Sequence, residues 1–292
     1  MSGGSQRSAL LMVLAATVSV QFGGALAATL VPEIGASGSV LLRLGIGTAL
    51  LLAIARPRFR GHDRRAWGNV LAFGLSLGLM NWTFYGALAH LPIGVAVTIE
   101  FLGPLVLAAV LSRARRDLAA VLFAAAGVVL ISGALTQPWA SLSWAGIVLA
   151  ATAGACWSAY ILTSRATGAR FDRLEGLALA MVVATVVVTP VGVLSASTWT
   201  GEHLLKGLGI AVLSSVLPYS LELVALRTIS PAAFGILLSL EPAVAAVAGL
   251  VVLSQGLSLV EMLGMAMVVC ASVIVMSVGS SGPPDAAEVA TT

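Results

Sequence analysis

The most constraining feature of this chain is how little charge interrupts its long apolar runs. Of 292 residues, 9% are Asp, Glu, Lys or Arg and 59% are hydrophobic. A water-soluble domain carries about 25% charged residues, which keep its surface hydrated. A chain this poor in charge must present most of its surface to an apolar medium, and the lipid bilayer is the medium that fits. The net charge is only +3, and the basic residues sit in short clusters between apolar runs. That distribution gives no nucleic-acid-binding face.

A helix needs about 20 apolar residues to cross the hydrocarbon core. The sequence predicts ten such segments, at 9–30, 38–55, 67–89, 92–112, 118–135, 143–164, 175–196, 205–226, 231–253 and 258–278. Several contain Gly or Pro, which lipid-embedded helices tolerate better than soluble ones. The first run is read as a span and not as a secretory signal, because comparable runs follow along the chain. The connections are short, the longest being the arginine-rich stretch 56–66. The stretch 279–292, built mainly of Gly, Ser, Pro and Ala, reads as a disordered cytoplasmic tail.

Basic residues orient the chain. Arg7, the cluster from Arg56 to Arg65, Arg113 with Arg115 and Arg116, Arg165 with Arg170 and Arg173, and Arg227 all fall on one side, while the other carries Lys206. Arg43 lies inside the second span. Cytoplasmic loops are enriched in Lys and Arg, so both termini are expected in the cytoplasm.

The two halves echo each other. Val13-Leu14-Ala15-Ala16-Thr17 recurs as Val148-Leu149-Ala150-Ala151-Thr152, a shift of 135. Ala87-Leu88 and Pro104 recur as Ala225-Leu226 and Pro242, a shift of 138. Residues 1–136 and 143–278 would each hold five spans, and an odd number inserts the second half from the opposite side. The expected fold is all-α, ten spans in two inverted five-helix repeats, an architecture typical of secondary transporters.

Charge inside a span is costly, about 2.5–3.5 kcal/mol per residue at the bilayer centre. Arg43, Glu100, Glu222 and Glu241 lie well inside predicted spans. They must face the bundle interior, either lining a polar cavity for substrate and protons or pairing structurally, with Arg43 holding one of the acids. Glu175 and Glu261 lie near span ends and can snorkel to water. Pro104 and Pro242 fall mid-span; each removes an N–H donor and frees the carbonyl four residues back, that of Glu100 or Leu238. Those kinks either shape packing or put bare acceptors beside the acids. In the third span Gly74, Gly78, Asn81 and Tyr85 share one face. The glycines suit close helix packing, whereas Asn81, with Tyr219 in the eighth span, can line a cavity. Gln21, Trp157 and Tyr160 are weaker candidates, because aromatic residues also mark the membrane interface.

Other chemistry has no visible basis in the sequence. His62, His90 and His203 fall in loops or at span ends without clustering, and Cys156 and Cys270 lie inside apolar runs, as packing thiols do. There is no phosphate-binding loop, metal-ligand spacing or nucleophile elbow. Hence no catalytic residue, metal or cofactor is expected, and transport would run on gradients. Glu100, Glu222 or Glu241 could take up and release a proton as the site alternates, giving proton antiport.

The chain resembles the drug/metabolite transporter superfamily, specifically its EamA-type members, and within it the bacterial threonine/homoserine exporters. Leu42-Arg43-Leu44, Met80-Asn81, Pro92 to Val97, Glu100-Phe101 and Gly103-Pro104-Leu105 carry the resemblance in the first half. Gly154-Ala155-Cys156-Trp157, Leu217 to Glu222, Ser239 and Glu241-Pro242-Ala243 carry it in the second. The resemblance implies a bacterial cytoplasmic-membrane exporter of small amino acids, its cavity lined by spans one to four and six to nine. It supports Arg43, Asn81, Glu100, Tyr219, Glu222 and Glu241 as cavity residues. The acidic tail residues Asp285 and Glu288 depart from the basic tail expected of that orientation. Export of another metabolite or of a cationic drug is the alternative within transport, and the partner of Arg43 separates the two. An intramembrane lipid enzyme would need a catalytic constellation, and none is seen. A structural or sensory protein would have no use for buried acids in an inverted repeat.

Overall fold

The computed structural model describes residues 3–112, 115–133, 135, 142–244, 247 and 258–277. Arg113, the linker 136–141, most of the ninth span beyond Val244, and the tail with Asp285 and Glu288 lie outside the described residues. Among the described residues there is no strand. The helices are α1 (Gly3–Ala55), α2 (Arg64–Leu88), α3 (Ile93–Leu111), α4 (Arg115–Ile131), α5 (Trp144–Gly168), α6 (Glu175–Gly192), α7 (Gly201–Ala211), α8 (Leu217–Leu226), α9 (Pro231–Leu238) and α10 (Leu259–Ser277).

The first two predicted segments are the arms of α1. They meet at Gly35, whose φ of 76° and ψ of 164° lie outside the helical region. That backbone region is essentially reserved for glycine. The predicted connection 31–37 is therefore helical apart from a single turning residue. Both arms return onto α7: Leu26 meets Gly209, and Leu42 and Ile46 meet Gly207.

The eighth segment is also irregular. Between α7 and α8 the chain makes a π-helical turn, Val212–Val216, in which the Leu217 N–H bonds to the Val212 carbonyl. Pro218 follows and cannot donate to the regular ladder. Ser19 on α1 donates to the adjacent Leu213 carbonyl at 2.6 Å. This insertion sets the rotation at which Tyr219 and Glu222 leave α8.

Glycines set the closest helix approaches. A Cβ on Gly74 would lie 2.5 Å from the Ala180 carbonyl oxygen, so α2 rests almost backbone-to-backbone on α6. Gly103 and Gly154 join α3 to α5 in the same way, with the Gly154 carbonyl lying where a Cβ on Gly103 would stand. Gly127 on α4 and Gly264 on α10 each face the other's carbonyl, at 2.7 and 2.8 Å.

The outer surface is studded with large apolar side chains, among them Leu11, Ile54, Val106, Val110, Leu122, Val148, Val186 and Leu205, all more than half exposed. Among the described residues six segments are long and apolar enough to cross a membrane: Arg7–Gly24, Thr29–Ala55, Arg64–Leu88, Trp144–Gly168, Glu175–Gly192 and Gly201–Leu226. Val95–Leu111, Pro231–Val244 and Leu259–Ile274 are shorter apolar helices. Such a surface is stable only in lipid, and the protein is a multi-pass membrane protein.

Candidate substrate site

A layer of polar side chains crosses the middle of the bundle. Arg43 comes from the second arm of α1, Asn81 and Tyr85 from α2, Glu100 from α3, Trp157 and Tyr160 from α5, Tyr219 and Glu222 from α8, and Glu241 from the helical turn after α9. Each of these residues stands among apolar neighbours in the middle of its helix and has to turn inward, away from lipid.

Two hydrogen-bonded groups form the layer. In the first, an Arg43 Nη2 donates to Asn81 Oδ1. Asn81 Nδ2 donates to its own helix at the Leu77 carbonyl, 2.8 Å, and to the Tyr219 hydroxyl, 3.5 Å. In the second, the Tyr160 hydroxyl donates to Glu222 Oε2 at 2.6 Å. The tyrosine rings link the groups, with Tyr160 and Tyr219 centroids 5.8 Å apart and Phe73 5.4 Å from Tyr160. Tyr219 also lies within electrostatic reach of Arg43, Tyr85 and Glu222. Glu241 interacts electrostatically with both Glu100 and Glu222. One cation, three acids and the phenols thus share a single interior region.

Asn81, Glu100, Trp157, Tyr160, Tyr219 and Glu222 are buried, whereas Arg43, Tyr85 and Glu241 remain half-buried. Among the described residues, no carboxylate lies within 4.0 Å of Arg43, and its Nε is buried without a hydrogen-bond partner. The structural pairing of Arg43 with a Glu, one of the two readings open from the sequence, is therefore replaced by a bond to Asn81. Beside Tyr85 a cavity of about 10 Å³, bounded also by Ser37, Val40, Trp82, Val188 and Val191, has room for one water. A larger cleft of about 480 Å³ lies on the outer side of α3 and α5, away from the polar layer.

The geometry places the other residues singled out from the sequence as follows. Gly74 and Gly78 pack on α6, and Asn81 from the same face reaches the layer. The carbonyl of Glu100, expected to be bare because of Pro104, faces the α carbon of Gly154, 2.6 Å from where a Cβ would stand. The kink thus brings α3 and α5 into close packing. Pro242 follows a turn at Ser239, whose hydroxyl donates to the Ile236 carbonyl at 2.6 Å. Trp157 stacks edge-on against Phe101, at 4.8 Å. Tyr160, weighed only weakly from the sequence, is 1% exposed and holds Glu222. Its position three residues after Trp157 in the middle of a 25-residue helix was the available signal. Glu261 lies at the start of α10, near a span end, where its carboxylate accepts from the Ser258 N–H and hydroxyl at 2.8 Å. Cys156 and Cys270 are both free, and Cys270 is exposed.

His203 also has close partners. Its Nδ1 accepts from the Thr200 N–H at 3.0 Å, so its Nε2 carries the proton donated to Glu33 Oε2 at 2.7 Å. Lys206 bridges Glu33 and Glu202 at 2.8 and 2.9 Å. This network ties the turn between the arms of α1 to the start of α7.

The model of the EamA-like transporter family matches residues 144–277. The chain is 38% identical over 268 residues to the threonine/homoserine exporter RhtA of Salmonella typhimurium (strain LT2), covering 90% of this chain and 89% of that protein. It is 37% identical to the threonine/homoserine exporter RhtA of Escherichia coli (strain K12), with the same coverage. A crystal structure of a protein 19% identical superimposes with a TM-score of 0.75, over 92% of this chain and 97% of that one, and shows the fold alone.

Proposed function

This chain belongs to the EamA-like transporter family, and from that premise we propose that it exports small amino acids such as threonine and homoserine across the bacterial cytoplasmic membrane. The substrate is what its curated relatives are named for. The observation within this chain that carries the reading is the state of Arg43, an interior guanidinium with an unpartnered Nε and no carboxylate beside it. A zwitterionic amino acid brings the missing carboxylate. Arg presents a planar donor fork suited to it, and Asn81 and Tyr219 stand beside the guanidinium to complete the site. Glu222, with Glu241 and Glu100 within reach, takes the ammonium group. A purely cationic drug would leave Arg43 unanswered, so this arrangement favours the zwitterion.

The transport cycle we propose uses ten spans in two inverted repeats with both termini cytoplasmic. Reciprocal packing supports the inversion. Gly127 and Gly264, 137 residues apart, each meet the other's carbonyl. Halves related by an in-plane axis can offer one central site to either face in turn. Protons taken up by Glu222, Glu241 or Glu100 when the amino acid leaves would make the cycle an antiport.

Purified protein in proteoliposomes tests the proposal. Labelled threonine and homoserine should move, faster with an opposing proton gradient, and a panel of small amino acids should compete. Movement of a bulky amine with neither amino acid transported would overturn the substrate assignment. Unchanged rates after the gradient is collapsed would overturn the antiport.

A further inference from the structure

The 480 Å³ cleft between α3 and α5 has no part in the polar layer. It is lined by Ile99, Leu102, Val106 and Val110 on one side and Ala151 and Ala155 on the other, with Gly103, Leu107 and Ser158 also on its wall. Leu102, Val106 and Val110 are 45%, 58% and 75% exposed, so the cleft opens on the outer, lipid-facing surface. Helices α3 and α5 touch backbone-to-backbone at Gly103 and Gly154, and the groove extends along α3 from that contact to its last turn at Val110.

Its dimensions and its charge point to one occupant. From Ile99 to Val110 the helix rises about 16 Å, matching the hydrocarbon depth of one leaflet, about 15 Å. The chain leaves α3 at Ser112 and begins α4 at Arg115, so basic residues stand just beyond the groove's end. Arg116 is engaged by Asp117 at 3.5 Å, whereas Arg115 is exposed and has no ion pair among the described residues. An apolar groove one leaflet deep, with an unpaired arginine on the segment that follows α3, matches a phospholipid acyl chain below an anionic headgroup.

We propose that an anionic phospholipid of the arginine-rich leaflet seats one acyl chain in the α3–α5 groove and its phosphate on Arg115, bracing the two helices beside the Gly103–Gly154 contact. The site is independent of the substrate assignment, because lipid retention is read without transport.

Native mass spectrometry of the full-length protein tests it, after exchange into detergent with phosphatidylglycerol, phosphatidylcholine or an equal mixture. One phosphatidylglycerol per chain should survive gentle activation, in preference to phosphatidylcholine. Val106→Trp fills the groove from an exposed position that does not need repacking, and should abolish the retained lipid while the melting temperature in lipid-free detergent stays unchanged. Arg115→Gln should keep a retained lipid but lower the preference for phosphatidylglycerol about 5-fold, the value of one arginine near an anionic surface. Equal retention of both lipids by the parent protein would overturn the proposal, and so would undiminished retention by Val106→Trp. A chain dimer that Val106→Trp dissociates would assign the groove to a second copy and overturn it as well.

Discussion

Replacing Tyr160 by Phe removes one hydroxyl and little else. The ring is 1% exposed and sits 5.4 Å from Phe73 and 5.8 Å from Tyr219, contacts that Phe retains. What disappears is the donor 2.6 Å from Glu222 Oε2 on a side chain only 6% exposed. A buried polar atom left without its partner costs about 1–3 kcal/mol. For a chain of this size each kcal/mol lowers the melting temperature by roughly 2–4 °C, so a fall of roughly 2–12 °C is expected. Replacing both partners by apolar groups of similar shape is nearly neutral. The double variant Tyr160→Phe/Glu222→Leu should therefore be no less stable than Tyr160→Phe alone. Thermal unfolding of the four proteins in one detergent gives the coupling, expected at about 0.5–3 kcal/mol for residues in contact. Additive effects within about 0.3 kcal/mol would refute the bond and with it the view that Tyr160 positions Glu222.

Four further outcomes follow from the geometry. Gly154→Ala forces a Cβ to 2.6 Å from the Glu100 carbonyl and should cost about 1–3 kcal/mol in thermal unfolding. Gly24→Ala, with nothing within 4 Å, should instead be neutral or stabilising by up to about 1 kcal/mol. Gly35→Ala meets no atom either, but its φ of 76° should cost about 1–3 kcal/mol, visible as a lower melting temperature. Arg43→Lys keeps the charge but loses the planar fork, and threonine flux should fall at least about 10-fold, with monodispersity unchanged on size exclusion.

Much of this arrangement was legible because lipid makes polar residues conspicuous. Arg43, Asn81, Glu100, Tyr219, Glu222 and Glu241 stood out against apolar neighbours, and hydrogen bonds join Arg43 to Asn81 and Asn81 to Tyr219. Tyr160 was less legible, since tyrosine serves membrane interfaces as readily as interiors, and only tertiary contacts separate the two. The partner of Arg43 was unreadable because its long side chain can reach several helices. Glu33 and His203 are 170 residues apart, and nothing local to either announces the other. Among the helices, apolar run length located the segments, but not the single-residue turn at Gly35 or the π-helical insertion before Pro218. Both depend on backbone geometry that hydropathy does not encode.

The central claim is that the polar layer is a hydrated site open to each side of the membrane in turn. Cysteine placed at Tyr85 in a Cys156→Ser/Cys270→Ser background, and probed in oriented vesicles with a membrane-impermeant thiol reagent, tests it most directly. Reaction from either face, with threonine altering the two rates in opposite directions, is the predicted result. A thiol inert from both faces, with and without threonine, would contradict the account and leave the layer as a dry structural network.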